Sequence, residues 1–444
     1  MAAKHKLVRG ALILTAAGLI SRLMGFFFRI FLSHAFGEEN VGLYQLVFPI
    51  YALCLSIGTS GIQTALSRTV ARKMSLNKPV EAKNALICAL FITVVLSAAE
   101  ILAIQQNAEA IALHFLGDAR CAELLVIISY ALPCASVHSC ICGYSYGIQK
   151  AGVPAVSQLA EQSVRILSVI FLYFFFKNQG SAPPVSLAVA GIVIGESASA
   201  LCSARSLSRT GAAAHMPSPR ALRRSASELI PLSLPLTANR TAVTLLQSIE
   251  AASIPACLKL YTHSSSEALI LYGVLTGMAL PCVLFPSAIT NSVAVMLMPA
   301  VAEKQAAGKR SDIFSLLRRT AGSCFILGLS CCLFFLLFGS FIGRFLFHSE
   351  TAGSFIMTLA WICPFLYTNA AMLSTINGLG RTTATFLINA ASLLIRIAGV
   401  FFAIPVFGMQ GYLWGLLASQ LAVTVLSILV FRSEFKAHSE RVSL

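Results

Sequence analysis

Acidic residues are scarce in this 444-residue chain, which has two aspartates, Asp118 and Asp312, and only 11% charged residues in all. Soluble proteins carry about a quarter. Two aspartates so far apart exclude a paired-aspartate metal site of the kind used in nucleotide-sugar chemistry. No G-x-x-x-x-G-K-[ST] loop is present to cradle nucleotide phosphates, and no H-E-x-x-H run to hold zinc. No polar gap is long enough for a soluble domain. These absences leave no place for ATP hydrolysis or covalent catalysis, so neither enzyme activity nor a cofactor is expected. Any work must be driven by an ion gradient, the membrane potential or the gradient of the substrate itself. A cleavable signal peptide is also missing: the N-terminal apolar run is too long for one and contains Arg22 and Arg29.

What the chain has is apolar length. Hydrophobic residues make up 57% of it, and a bilayer core is crossed by roughly twenty in a row. Six spans are expected near 10–34, 41–66, 84–106, 122–148, 152–176 and 185–205, and six more near 229–256, 268–297, 314–342, 354–378, 382–404 and 409–431. Lys and Arg gather at alternate gaps. With the residues at their rims, both tails and the gaps assigned to the cytoplasm hold 23 of the 32, from Lys4, Lys6 and Arg9 through Arg72, Lys73 and Lys78 to Arg432, Lys436 and Arg441. This is the positive-inside bias, and it predicts a multi-pass membrane protein with both termini cytoplasmic. It accounts for most of the net charge of +15, so the partners expected are membrane lipids and no nucleic acid.

The two halves repeat at an offset of 231 residues. Gly42 maps to Gly273, Lys73 to Lys304, Pro133 to Pro364, Gly147 to Gly378, Lys150 to Arg381 and Arg165 to Arg396. Six spans per half keep both halves in the same orientation, as parallel repeats. The expected architecture is all-α: about twelve transmembrane helices in two six-helix lobes, 1–206 and 229–444, joined by a cytoplasmic linker at 207–228. A monomer with a central cavity between the lobes is expected, which is transporter architecture. Pro231 and Pro235 begin the seventh span, and Pro281 and Pro286 interrupt the eighth.

Charges inside the spans are the expensive residues, at roughly 2.5–3.5 kcal/mol for an arginine at a helix centre. Arg22, Arg29, Arg165, Arg240 and Arg396 stand against Glu100, Glu161, Glu196 and Glu250. Glu161 lies one turn before Arg165, the favourable order for a helical ion pair. The planar guanidinium fork matches phosphate oxygens two at a time. The five arginines are therefore candidate ligands of an anionic substrate such as a phosphate or pyrophosphate. Glu161, Glu196 and Glu250 are candidate coupling sites for H+ or Na+ and would carry the alternative function, cation-coupled drug efflux. A third reading is a scaffold that moves nothing, against which the cost of the buried arginines argues. Cys134, His138, Cys140 and Cys142 cluster in one span, but packing rather than a metal site is expected of them.

The opening of the chain resembles a known family. Leu19-Ile20-Ser21-Arg22-Leu23-Met24-Gly25-Phe26, then Arg29-Ile30-Phe31-Leu32, then Gly42-Leu43-Tyr44-Gln45-Leu46-Val47-Phe48-Pro49, look like the start of the stage V sporulation protein B group. That group belongs to the polysaccharide-transporter branch of the MOP flippase superfamily. The resemblance implies a MATE-like fold and export of lipid-linked saccharides, such as peptidoglycan precursors, across a bacterial cytoplasmic membrane by alternating access. Lipid II flippases of the superfamily carry a Ser-Arg-x-x-Gly-Phe run with a functional arginine, a role the resemblance assigns to Arg22. Many relatives have two further C-terminal spans, absent from these twelve.

Overall fold

The computed structural model describes residues 2–208, 217–307 and 310–442; the linker stretch 209–216 and the side chains of Lys4, Lys6, Arg9, Lys436 and Arg441 lie outside the described residues. All regular structure among them is helical. The chain runs α1 (Ala2–Leu46), α2 (Phe48–Leu55), α3 (Gly61–Ser75), α4 (Pro79–Ala110), α5 (Cys121–Ser129), α6 (Ala131–Gly147), α7 (Gly152–Asn178), α8 (Ser186–Ser208) and α9 (Pro219–Thr262). It continues through α10 (Ser265–Gly273), α11 (Leu280–Leu284), α12 (Ser287–Ala306), α13 (Arg310–Phe347), α14 (Glu350–Ala360), α15 (Cys363–Gly378), α16 (Thr382–Ala398), α17 (Ile404–Phe407) and α18 (Met409–Val442).

Among the described residues nine helices are long and apolar enough to cross a membrane, or eleven when each of two bent pairs is one span. One of the nine, Leu12–Ser75, has 64 residues. Straight, it would measure about 96 Å, roughly three bilayer cores. Gly37, at φ 78 and ψ 167, breaks it, and the two expected spans at 10–34 and 41–66 lie on either side. The expected span at 268–297 is interrupted as its prolines require. A π-helical turn at Val274–Ala279 precedes α11, and Phe285 and Pro286 separate α11 from α12.

The 231-residue offset recurs in three dimensions. The helix breaks at Tyr130 and Trp361 hold equivalent places, with bends of 40° and 53°. Lys73 Nζ meets Glu81 at 2.9 Å and Lys304 Nζ meets Asp312 at 3.2 Å, both acids 231 apart as well. Gly147 faces Val70, where a Cβ would stand 2.7 Å from the valine Cβ, and Gly378 faces Val301, where it would stand 2.8 Å away. The left-handed residues Gln149 and Gly380 that close α6 and α15 also correspond.

The chain divides into two compact units, Met1–Ala252 and Ser253–Leu444. Most of α9 therefore packs with the first unit. Ser56 Oγ and Thr241 Oγ1 are 3.3 Å apart, and Ser248 donates to the Pro49 carbonyl at 2.8 Å. At Gly61 the backbones come so close that a Cβ would fall 2.0 Å from Thr237 Oγ1. In the second unit α13 meets α14 and α15 through Gly328, Gly339 and Gly343, the small-residue packing that membrane helices use in place of a hydrophobic drive.

Gly147→Ala and Gly378→Ala should each destabilise the protein by about 1–3 kcal/mol through overpacking, and by similar amounts if the repeats pack alike. Gly322→Ala, where a Cβ meets nothing within 4 Å, should leave the melting temperature in detergent unchanged. Equal melting of all three variants would contradict the packing described.

Candidate functional site

Within the first unit, α2, α6, α7 and α8 gather a partly buried set of ionisable groups. On α7, Glu161 and Arg165 stand one turn apart and form an ion pair. Gly191 and Gly195 let α8 lie directly on α7. A Cβ on Gly191 would fall 2.1 Å from Val169 Cγ2, and one on Gly195 would fall 3.0 Å from the Glu161 carbonyl. That approach sets buried Glu196, one residue further along, beside the pair. Tyr51 of α2 donates to Glu196 Oε1 at 3.0 Å, and Ser199 donates to Oε2 at 3.4 Å. On α6, His138 Nε2 and Ser157 Oγ are 2.9 Å apart. Ligand atoms of His138, Glu161 and Glu196 all lie within 4.8 Å of one another.

Chemically, two carboxylates face one guanidinium, so the set has one negative charge in excess when both acids are ionised and His138 is neutral. A proton or a small cation would balance it. The three ligand atoms could hold such a cation, although Arg165 competes for Glu161. Arg165 Nε has no hydrogen-bond partner among the described residues. Buried Tyr44 lies within electrostatic reach of both Arg165 and Arg29, which connects half-buried Arg29 of α1 to the same region. The side of α1 bearing Gly25 rests on α7, where a Cβ would meet Gln162 Nε2 at 3.2 Å.

The other candidates stand on other helices. Arg22 on α1 and Arg240 on α9 are exposed and form no ion pair among the described residues. Glu250 is buried on α9. Arg396 is half-buried on α16 of the second unit. At the repeat offset Asn369 stands for His138 and Ser392 for Glu161. Asn369 Nδ2 donates to the Gln420 carbonyl and Oε1 at 2.9 and 3.0 Å, and Thr424 donates to Asn369 Oδ1 at 2.8 Å. An amide and a hydroxyl thus replace the histidine and the carboxylate, while Arg165 keeps a counterpart in Arg396, so the lobes differ in chemistry.

Sequence reading missed Tyr51, His138 and Ser157 as neighbours of the carboxylates. It grouped His138 with cysteines, but their thiols face other partners: Cys134 reaches Ser197, Cys140 reaches Thr93 and Cys142 reaches Ser157. All thirteen cysteines are free. The run Gly143-Tyr144-Ser145-Tyr146-Gly147 has G-x-S-x-G spacing. It sits inside α6, not on the strand-to-helix turn that exposes a nucleophile.

Residues 7–305 match the family described as Polysaccharide biosynthesis protein. The chain belongs to that family. It is 27% identical to stage V sporulation protein B of Bacillus subtilis (strain 168) over 431 residues, 96% of this chain and 83% of that protein. To the lipid II flippase MurJ of the same organism it is 29% identical over 201 residues, 43% of this chain and 37% of that one. Among solved structures, an inward-facing multidrug resistance MATE transporter of the MOP superfamily superposes with TM-score 0.73 at 14% identity, covering 97% of this chain and 99% of that chain. Lipid II flippase MurJ in an inward closed conformation also gives 0.73, at 13% identity, covering 95% and 87%. The chain is a multi-pass bacterial membrane protein with the MOP fold.

Arg165→Ala should destabilise the first unit by about 1–3 kcal/mol, because Glu161 is left half-buried without its partner. Glu161→Gln combined with Arg165→Ala should recover a large part of the loss. Thermal melts of the two variants and the double variant check this, and additive effects would contradict the pairing.

Proposed function

We propose that this protein is an ATP-independent flippase that moves a polyprenyl-pyrophosphate-linked saccharide, such as a peptidoglycan precursor, across the bacterial cytoplasmic membrane by alternating access. The observation that carries the reading is Arg22, an exposed guanidinium on a membrane helix with no ion pair among the described residues. Such a charge is stable only beside water or an anion, and its fork suits pyrophosphate oxygens. The name of one relative, lipid II flippase MurJ, supports the same substrate class. Arg29, Arg240 and Arg396 are further candidate phosphate ligands. Arg165 is committed to Glu161, and we assign it to the coupling set instead.

In this reading Glu161, Glu196 and His138 take up H+ or Na+ during the cycle, and no bond of the substrate is made or broken. With both termini cytoplasmic, a negative interior drives net anions outward at roughly 2.3 kcal/mol per charge per 100 mV. A cation taken up in the opposite direction adds to that drive. The protein works as a monomer. The carboxylate set and the MATE-like fold favour one second reading, cation-coupled export of organic cations, in which Glu161, Glu196 or Glu250 is the coupling residue.

Purified wild type should bind a polyprenyl-pyrophosphate saccharide, and Arg22→Ala should weaken the affinity by tenfold or more, as expected for loss of a charge-assisted contact of about 1.5–3 kcal/mol. Arg22→Lys should fall between the two. An unchanged affinity in a folded Arg22→Ala protein would remove Arg22 from the site. Binding of organic cations alone, abolished by Glu196→Gln, would instead establish the second reading.

A further inference from the structure

Where α3 ends and α9 begins, cations are gathered by a buried lysine. Lys73 is buried and draws in both nearby acids, with Nζ 2.9 Å from Glu81 and 2.9 Å from Glu228. Arg72, Lys78 and Arg224 approach the same two carboxylates at 3.0, 3.1 and 3.9 Å. Six charged groups from α3, α4, the turn between them and α9 therefore share one corner, four cations against two carboxylates. Arg72 and Arg224 remain 65% and 68% exposed.

The first turns of α9 extend the patch. Ser218 caps the helix by accepting from the Ala221 amide at 3.3 Å, and Pro219 occupies the first turn. Leu222, Ala226 and Leu229 face the apolar core built by α3, α4 and α6. Helical periodicity then turns Arg220, Arg223 and Arg224 outward, and all three are exposed. Beside them Met74, Leu76 and Val80 project from the end of α3 and the start of α4, with Leu76 61% exposed. Guanidinium groups beside exposed apolar side chains match the two parts of a phospholipid at the membrane interface, phosphate above and acyl chain below.

We propose that this corner is a binding site for an anionic phospholipid. Arg72, Arg220, Arg223 and Arg224 hold the phosphodiester, while Leu76 and Val80 pack on the upper acyl chain. The site is independent of the transported substrate and of Arg22. The second lobe offers a contrast. Lys304 at the equivalent of Lys73 is more exposed and meets Asp312.

The test is native mass spectrometry of the full chain released from mixed phosphatidylglycerol and phosphatidylethanolamine micelles. Wild type should retain phosphatidylglycerol in preference to phosphatidylethanolamine. Arg220→Gln/Arg223→Gln/Arg224→Gln should cut that retention about tenfold, since each interfacial cation contributes to anionic-lipid affinity. Leu76→Ser/Val80→Ser, which removes no charge, should also lower it, and covers the case in which the triple variant does not fold. Arg318→Gln/Arg319→Gln in the second lobe should leave it unchanged. Equal loss in the second-lobe variant would reduce the effect to general surface charge and overturn the site. So would equal retention of both lipids, or full displacement of phosphatidylglycerol by inorganic phosphate.

Discussion

A guanidinium inside a membrane bundle needs an anion or water beside it, and Arg165 is met by Glu161 one turn away. The rest of the candidate site follows from that pair. Gly191 and Gly195 remove the side chains that would hold α8 off α7, so Glu196 arrives as a second carboxylate beside a guanidinium already engaged. Tyr51 and Ser199 then spend hydrogen bonds on Glu196, and His138 completes a group whose ligand atoms are a few ångströms apart. With both acids ionised and His138 neutral, the three groups and Arg165 carry one negative charge in excess, and the coupling role proposed for them rests on that excess.

The internal repeat shows what has been kept and what has diverged. Helix breaks, the lysine clasps that cross the α3–α4 and α12–α13 connections, and the glycine-on-valine contacts agree at one offset in both halves. These are features of packing and helix termination, demanded equally by each lobe. Of the ionisable set, Arg165 recurs as Arg396, whereas the carboxylates and the histidine do not recur. Asn369 and Ser392 stand where the first lobe has His138 and Glu161, tied into neutral hydrogen bonds with Gln420 and Thr424 in the case of Asn369. At that offset the carboxylate–histidine set belongs to the first lobe.

Much of the fold was legible in the residues because apolar length, proline position and the lysine and arginine bias are local properties. The Glu161–Arg165 pair was legible for the same reason, since four residues make one helical turn. Glu196 lies 35 positions beyond Glu161 in sequence, and its arrival depends on a helix crossing that periodicity does not specify. Gly191 and Gly195, four apart on one face, were the available signal, being a small-xxx-small pattern of the kind that brings membrane helices together. Tyr51 is hidden more deeply, because α2 and α8 meet only in the folded unit. The packing of α9 on the first unit was likewise out of reach: the linker before it separates the sequence halves, whereas Gly61 and Thr237 draw the helix back onto α3.

The most direct test of the central claim is translocation by the purified wild-type chain in sealed vesicles. A polyprenyl-pyrophosphate saccharide would be supplied in one leaflet without ATP, and a fluorescent organic cation would be supplied in parallel under an imposed pH gradient. The account predicts that the saccharide lipid reaches the opposite leaflet and that the organic cation is ignored. Movement of the cation with the saccharide lipid left in place would contradict it.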